Sequence, residues 1–214
     1  MSEDTQIISN EVKKNDLKSF FLNNKKSLIA LIIIILLSIF AYFFYADYKK
    51  DQKLQISEKY NSAVINYNKD EPNASILEMI NIIELKDPTY SPLALYFLLD
   101  NNLLSNKEKV NEYFDIIIND VNTDKEIKNL VIFKKGLFNS DFETENNLII
   151  ILNPIINSDS IWKSHALYLI AEYFFYKEQK QKAKEFYDQI IALDEANEKI
   201  KLQTRKRLRK DFSE

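Results

Sequence analysis

One long apolar run near the start of the chain precedes a region of short apolar stripes separated by polar breaks. The run holds nineteen uncharged residues, Ser27 to Tyr45, and lysine pairs stand at 25–26 and 49–50. An α-helix that crosses a bilayer needs about 20 apolar residues at roughly 1.5 Å each. A core helix of a soluble domain would show a polar face, which this run lacks. The run therefore predicts a transmembrane helix over residues 27–46.

The end of the run favours a permanent anchor over a cleaved signal peptide. Its last four residues, 42–45, are aromatic, as in the belt that transmembrane helices place at the bilayer interface. Cleavage after Ala46 would put Phe44 where a small residue is required. We predict an uncleaved anchor, and the following residues contain no helix breaker, so the helix is expected to run on as a stalk.

The distribution of lysines bears on orientation. Five lysines precede the run and four follow it in a similar window, which favours a cytoplasmic N-terminus by one charge. A short tail, one apolar helix and a large C-terminal part are typical of a signal anchor. We therefore predict a single-pass inner-membrane protein with a cytoplasmic tail (1–26) and a periplasmic C-terminal domain. The segment 15–24 is either an amphipathic turn on the inner membrane surface or the frayed start of the anchor.

The remaining chain has the pattern of short amphipathic helices. Val110, Phe114, Ile117 and Val121 illustrate the spacing, since all four fall on one helical face. Polar breaks every fifteen to twenty residues favour antiparallel helix pairs. The whole chain has one glycine, Gly136, whereas β and α/β domains need glycine in tight turns. The predicted fold is all-α.

Charge and cysteine content exclude several classes. Residues 46–196 carry 25 acids and 17 lysines, a net charge of −8, whereas residues 197–214 carry seven bases and three acids, a net charge of +4. A nucleic-acid-binding domain would have a basic body, so no nucleic acid partner is expected. The chain has no cysteine, which excludes disulfides and a lipidated cysteine.

The segment HALYLIAEYFFYKEQKQKAKEFYDQIIALDE resembles a tetratricopeptide repeat, a 34-residue pair of helices. Ala171 and Ala183 occupy its small crossing positions, and Phe174 and Tyr187 its aromatic positions. Glu195 stands where the repeat usually has proline.

A repeat that starts at Ser164 places earlier ones near Ser57, Ser91 and Asn129, at spacings of 34, 38 and 35. In the third repeat Gly136 takes the small position, which explains the glycine as a close helix contact. That repeat departs from the pattern at Lys135 and Pro154. The resemblance implies a tetratricopeptide-like helical-hairpin solenoid over residues 47–196, closed by a basic capping helix over residues 197–214.

The layout as a whole resembles the YfgM-like family of ancillary subunits of the SecYEG translocon. The resemblance rests on the tail LKSFFLNNKKSLIALII, a single anchor, a membrane-proximal helix and degenerate repeats. It implies periplasmic repeats that bind emerging clients or periplasmic chaperones beside the translocon, and it transfers no catalytic motif. Two other roles stay open: a structural coordinator of envelope assembly or cell division, and a receptor with cytosolic repeats.

The sequence offers little for catalysis. His165 is the single histidine, and without cysteine it cannot complete a zinc site. Its neighbour Ser164 does not form a nucleophile pair with it, because adjacent residues of a helix do not face each other. We expect no enzyme activity, no cofactor, no metal and no small-molecule substrate.

The repeat geometry assigns eight residues to a groove that would bind a partner's helix or extended segment. They are Leu95, Leu99, Phe133, Leu137, His165, Tyr168, Glu172 and Phe175. The alternative is that the C-terminal helix folds back and fills this groove.

All three arginines of the chain, Arg205, Arg207 and Arg209, lie in the basic tail. Arginine in a lysine-rich chain suggests forked hydrogen bonds to carboxylates or phosphates. One interpretation is contact with an acidic partner or anionic lipid. We favour the other, a capping helix that packs Ile200, Thr204 and Leu208 on the last repeat, because a solenoid needs a polar-faced final helix.

Overall fold

The structure, a computed structural model, describes residues 24–212 and is all-α, as the sequence predicts. No strand occurs in this range. The helices are α1 (Lys25–Ile65), α2 (Asn73–Glu84), α3 (Tyr90–Asp100), α4 (Lys107–Asp120), α5 (Lys125–Asn139), α6 (Glu145–Ile156), α7 (Lys163–Tyr176), α8 (Lys180–Ala192) and α9 (Glu198–Asp211). Residues 15–23 of the predicted segment 15–24, and nearly all of the tail, lie outside the described residues.

Helix α1 is continuous for 41 residues, so the apolar run does continue into a stalk. By length and composition it is able to cross a membrane, and its apolar part is exposed along its whole length. The chain divides into two compact units after Gln55, inside this helix, rather than after residue 46. The second unit begins at Ile56 and holds the last turns of α1 together with all later helices.

Polar side chains mark where several helices begin. Asn106, Asp124, Thr144 and Asn197 precede α4, α5, α6 and α9, and each accepts a hydrogen bond from a backbone N–H of the first turn. Such caps satisfy donors that have no partner within the helix.

Three helices are followed by a residue in the left-handed conformation that is not glycine. Lys86, Asn102 and Glu178 follow α2, α3 and α7 with φ of 57°, 53° and 60°. After α3 and α7 the chain closes a wider turn. The backbone N–H of Leu103 donates to the carbonyl of Leu98, and that of Gln179 donates to the carbonyl of Phe174, five residues earlier in each case. The scarcity of glycine therefore does not prevent tight helix endings, because surrounding hydrogen bonds hold other residues in this conformation.

From Ile56 onward the helices stack as a series of hairpins. In the hairpins α3/α4, α5/α6 and α7/α8, the first helix packs on its own partner and on the second helix of the preceding hairpin. The first hairpin joins the end of α1 to α2 through a hydrogen bond from Ser75 Oγ to the carbonyl of Ala63. Helix α9 packs on α7 and α8, as the first helix of a further hairpin would.

Side-chain hydrogen bonds between hairpins recur at the spacing of the repeat. Six residue pairs that lie 33 to 35 apart are joined in this way: Lys86 to Asp120, Ser160 to Glu126, Ile161 to Glu126, Gln179 to Glu145, Asn197 to Ser164, and Arg207 to Glu172. The internal period proposed from the sequence is therefore present in the contacts that tie neighbouring hairpins together.

Two hydrophobic clusters form the core of this unit. One extends from Ala63 in α1 to Val131 in α5, the other from Ile132 in α5 to Ala196 before α9, and Ile118 packs against both. The apolar stripe predicted for α4 lies in the first cluster and is buried. Ala171, Ala183, Phe174 and Tyr187 of the fourth hairpin are buried in the second.

Gly136 lies at the crossing of α5 and α6, as predicted. A Cβ built on it would come within 2.5 Å of Leu152 Cδ2, and Leu152 is fully buried. A side chain at this position would therefore displace Leu152 in a packed interior.

We predict that Gly136→Ala destabilises the protein, although Gly→Ala within a helix ordinarily stabilises it by about 1 kcal/mol. Overpacking against Leu152 costs about 1–3 kcal/mol and exceeds that gain. Urea unfolding of the variant and the parent measures the difference.

The matched control is the same change in a Leu152→Ala background. There the missing isopropyl group of Leu152 leaves room, so Gly136→Ala should be neutral or stabilising. Equal effects in both backgrounds would show that the helices do not cross at Gly136.

Candidate functional site

The predicted groove divides into an open part on α3 and α5 and a covered part on α7. In the open part, Leu99 and Leu137 line a cavity of about 210 Å³. The other apolar and aromatic residues around it are Tyr96, Leu104 and Phe138. Leu137 is 50% exposed, so this lining is in contact with solvent. We call these five residues the α3–α5 surface.

Polar groups stand at the edge of the α3–α5 surface. Lys134 Nζ lies 4.4 Å from the centre of the Tyr96 ring, within cation–π distance. Burial raises the pKa of Tyr96, so its hydroxyl stays protonated at neutral pH. That hydroxyl has no hydrogen-bond partner in residues 24–212. Asp100 also borders the cavity.

The assignment of Leu95 to the groove is wrong. Its side chain is fully buried in the first cluster, together with Met79 of α2 and Phe114 of α4. Helix α3 packs against both α2 and α4, and these two neighbours cover the face that carries Leu95. Sequence reasoning missed Tyr96, Leu104 and Phe138, although Tyr96 lies three residues before Leu99 and so could have been found by helical spacing.

Phe133 and His165 belong to an aromatic cluster with Trp162. The Phe133 and Trp162 rings stack with centroids 5.9 Å apart, and the His165 ring lies 5.9 Å from Phe133 and 5.2 Å from Trp162. Burial lowers the pKa of His165, which favours the neutral ring. These contacts join α5 to α7, and Trp162 packs between them as part of this cluster.

Glu172 is held by the last helix. Arg207 donates from Nε to Glu172 Oε1 at 2.9 Å and from Nη2 to Oε2, which is a forked, charge-assisted pair. The buried Tyr187 hydroxyl donates to the same carboxylate at 2.6 Å. Arg207 also donates to Asp211 at 3.1 Å. We call the bidentate pair the Glu172–Arg207 fork.

The fork holds α9 over the remaining groove positions. Phe212, which follows α9, contacts the rings of Phe175 and Tyr187 at 5.8 and 5.9 Å. The Arg207 guanidinium lies 4.7 Å from the centre of the Phe175 ring. Helix α9 therefore covers part of this end of the groove, as the alternative predicted, but it does not fill it: Glu172 and Phe175 also border a cavity of about 750 Å³ together with Tyr176 and Arg207.

The three arginines have different environments. Arg207 makes the forked bonds that its residue type suggested, but to carboxylates of its own chain, so it is not available to an acidic partner or a lipid. Arg205 and Arg209 are exposed. The capping interpretation is confirmed, because Thr204 is fully buried and Ile200 and Leu208 pack against the second cluster.

The ionisation of Glu172 reflects opposing influences. Burial raises its pKa, while hydrogen bonds from Arg207, Tyr187 and Tyr168 lower it by more, so the pKa of Glu172 lies below its ordinary value. The ionised carboxylate is therefore the form that stabilises the folded protein.

Comparison with models of known protein families, with curated proteins and with solved structures finds no match. Within residues 24–212 no group of three or more histidine, aspartate or glutamate side chains is placed to hold a metal ion.

We predict that Glu172→Gln destabilises the protein at pH 7 by about 1–2 kcal/mol, because a charge-assisted fork is lost at a half-buried position. A carboxyl group whose pKa is lower in the folded state than in the unfolded state stabilises the folded protein at pH values above its unfolded-state pKa. That stabilisation is lost as the pH falls through the folded-state pKa. The gap between parent and variant should shrink below the ordinary Glu pKa of 4.5. Urea unfolding across this pH range measures it.

The control is Glu185→Gln, which changes an exposed glutamate of α8 and should leave stability nearly unchanged. Arg207→Gln should reproduce the effect of Glu172→Gln at pH 7, and the double variant should lose less than the sum. Additive losses would mean that the two side chains do not act as a pair.

Proposed function

We propose that this chain is a membrane-anchored repeat protein that binds other proteins through the α3–α5 surface. The observation that supports this most directly is the apolar lining formed by the exposed Leu137 and the partly buried Leu99, on the first helices of two successive hairpins. Exposed apolar side chains that line one concave surface are costly in water and mark places where a partner docks.

The size of the cavity favours a protein partner over a small molecule. Pockets for drug-sized ligands measure about 300–1,000 Å³, whereas this cavity is about 210 Å³. That volume suits one or two apolar side chains of a helix or an extended segment lying along the helices. Lys134 and Asp100 at the edge could orient the backbone or polar side chains of that segment.

The location we propose follows from α1 and from the lysine distribution. An apolar helix of sufficient length lies near the N-terminus, and the short tail carries the small excess of lysine. We infer that the tail is cytoplasmic and the repeats periplasmic. The resemblance to the YfgM-like family adds a specific role: an ancillary subunit of the SecYEG translocon that engages periplasmic chaperones or emerging clients.

The proposed topology is tested by protease protection. In spheroplasts, protease should remove a tag placed after Glu214 and leave a tag at Ser2 intact, because the domain after α1 is translocated. Immunoblotting for each tag, before and after lysis of the membrane, provides the measurement. A C-terminal tag that becomes accessible only after lysis would place the repeats in the cytosol.

The second prediction concerns the binding surface. A photo-crosslinking amino acid at Leu137 should capture translocon subunits, periplasmic chaperones or secreted clients in intact cells, with the captured proteins identified by mass spectrometry. The matched control is Ile150, which is 68% exposed on the second helix of the same hairpin.

Leu99→Ser with Leu137→Ser should abolish capture from a probe at Phe138 without lowering the melting temperature by more than a few degrees, since Leu137 is half exposed. Equal capture from Leu137 and Ile150 would contradict binding at the α3–α5 surface.

A further inference from the structure

The two sides of α9 differ in chemistry. Ile200, Thr204 and Leu208 face the last hairpin. Seven exposed residues cover less than half of the helix circumference on the other side: Lys199, Leu202, Gln203, Arg205, Lys206, Arg209 and Lys210. Glu198, the first residue of the helix, is the exposed acid beside them. We call the seven residues the outer α9 face; it carries five cations.

Four of the five cations of the outer α9 face, namely Lys199, Arg205, Lys206 and Lys210, form no ion pair within residues 24–212. The intramolecular fork is made by Arg207, which lies toward the last hairpin. The fork and the buried Thr204 fix α9 in place, so the cations are presented on a rigid surface.

We propose that the outer α9 face docks on an anionic bilayer surface. The proposal rests on the proposed membrane anchorage through α1, which keeps the domain close to lipid. Linking a domain to its binding surface makes weak contacts effective, because the second binding event becomes intramolecular. Clustered lysine and arginine near a bilayer are attracted to anionic headgroups, and guanidinium groups form forked bonds to phosphate.

The shape and composition of the face favour a bilayer over an acidic protein. The seven residues form a convex helical surface, and the α3–α5 cavity is lined by other residues. A bilayer needs no matching cavity. Leu202 is 50% exposed among the cations, and an apolar side chain at this place can enter the headgroup region.

The negative charge of the rest of the domain favours one orientation of the domain relative to an anionic bilayer. Residues 46–196 carry a net charge of −8, so an anionic surface repels most of the domain and attracts its C-terminal end. The contact would therefore orient the hairpins relative to the bilayer. Because the cations are exposed, the attraction should weaken as salt is added.

The test uses the full chain in vesicles of phosphatidylcholine, with or without phosphatidylglycerol. The chain has no cysteine, so Gln203→Cys introduces a unique site for a donor dye on the outer α9 face. Energy transfer to an acceptor on lipid headgroups should rise roughly twofold or more when phosphatidylglycerol is present, and added salt should reverse the rise. A donor dye at Asn146→Cys, an exposed position of α6, should show a smaller rise in energy transfer.

Two charge variants complete the design. Changing Arg205, Lys206, Arg209 and Lys210 to Gln should remove the response to phosphatidylglycerol, whereas changing the exposed Lys69, Lys107, Lys109 and Lys125 to Gln, which alters net charge equally, should retain it. Equal transfer in both lipids, or equal loss in both variants, would overturn the proposal. A polyglutamate peptide that competes with phosphatidylglycerol vesicles and removes the rise in energy transfer would support a charged contact with lipid. If the outer α9 face binds this peptide but not the vesicles, the proposal of bilayer docking is wrong and an acidic protein is the better candidate partner.

Flotation separates this proposal from the anchorage on which it rests. If the chain fails to float with phosphatidylcholine vesicles, α1 does not anchor it. If it floats but shows no lipid-dependent energy transfer, the anchorage holds and the docking of the outer α9 face is wrong.

Discussion

The structure from Ile56 onward depends on packing between neighbouring hairpins. Helices α2 to α9 have 11 to 15 residues, and isolated helices of that length are marginal in water. A single hairpin cannot bury both of its apolar sides, so each one is stabilised by the next. The hydrogen bonds between residues 33 to 35 apart, such as Ser160 to Glu126 and Gln179 to Glu145, are one expression of this dependence.

A stack of this kind must end, and α9 ends it. It buries Thr204 against the last hairpin and neutralises Glu172 with Arg207, so the side of α7 that another hairpin would have covered is covered by one helix. The same contacts cover part of Glu172 and Phe175, which still border a cavity of about 750 Å³. Among the predicted groove positions, Leu137 is left exposed nearer the middle of the stack, with the partly buried Leu99 beside it.

The basic tail therefore has two separate roles in this interpretation. One arginine, Arg207, completes the fold, and we propose that the exposed cations on the opposite side of α9 meet an anionic bilayer. The proposed protein binding at the α3–α5 surface and the proposed lipid contact at the outer α9 face use different residues. A protein that held both contacts at once would present its partner at a defined orientation to the bilayer.

The sequence by itself determined the helices and several of their packed faces. The uninterrupted apolar run predicted a continuous α1, the stripe from Val110 to Val121 predicted the buried face of α4, and the isolated glycine marked a helix crossing. These features are local, because a period of 3.6 residues and the absence of a Cβ act within one or two helices.

Only the tertiary structure decided which apolar positions are covered. Helix α3, YSPLALYFLLD, and helix α7, KSHALYLIAEYFFY, are apolar on nearly every side, so periodicity could not tell Leu95 from Leu99. Their neighbours settle it: α2 and α4 cover Leu95, and α9 brings Arg207 to Glu172, 35 positions earlier in the chain. The left-handed endings at Lys86, Asn102 and Glu178 were not evident either, since nothing in these residue types requires that conformation. Burial depends on which surface arrives from elsewhere in the chain, and a pattern confined to one helix does not contain that information.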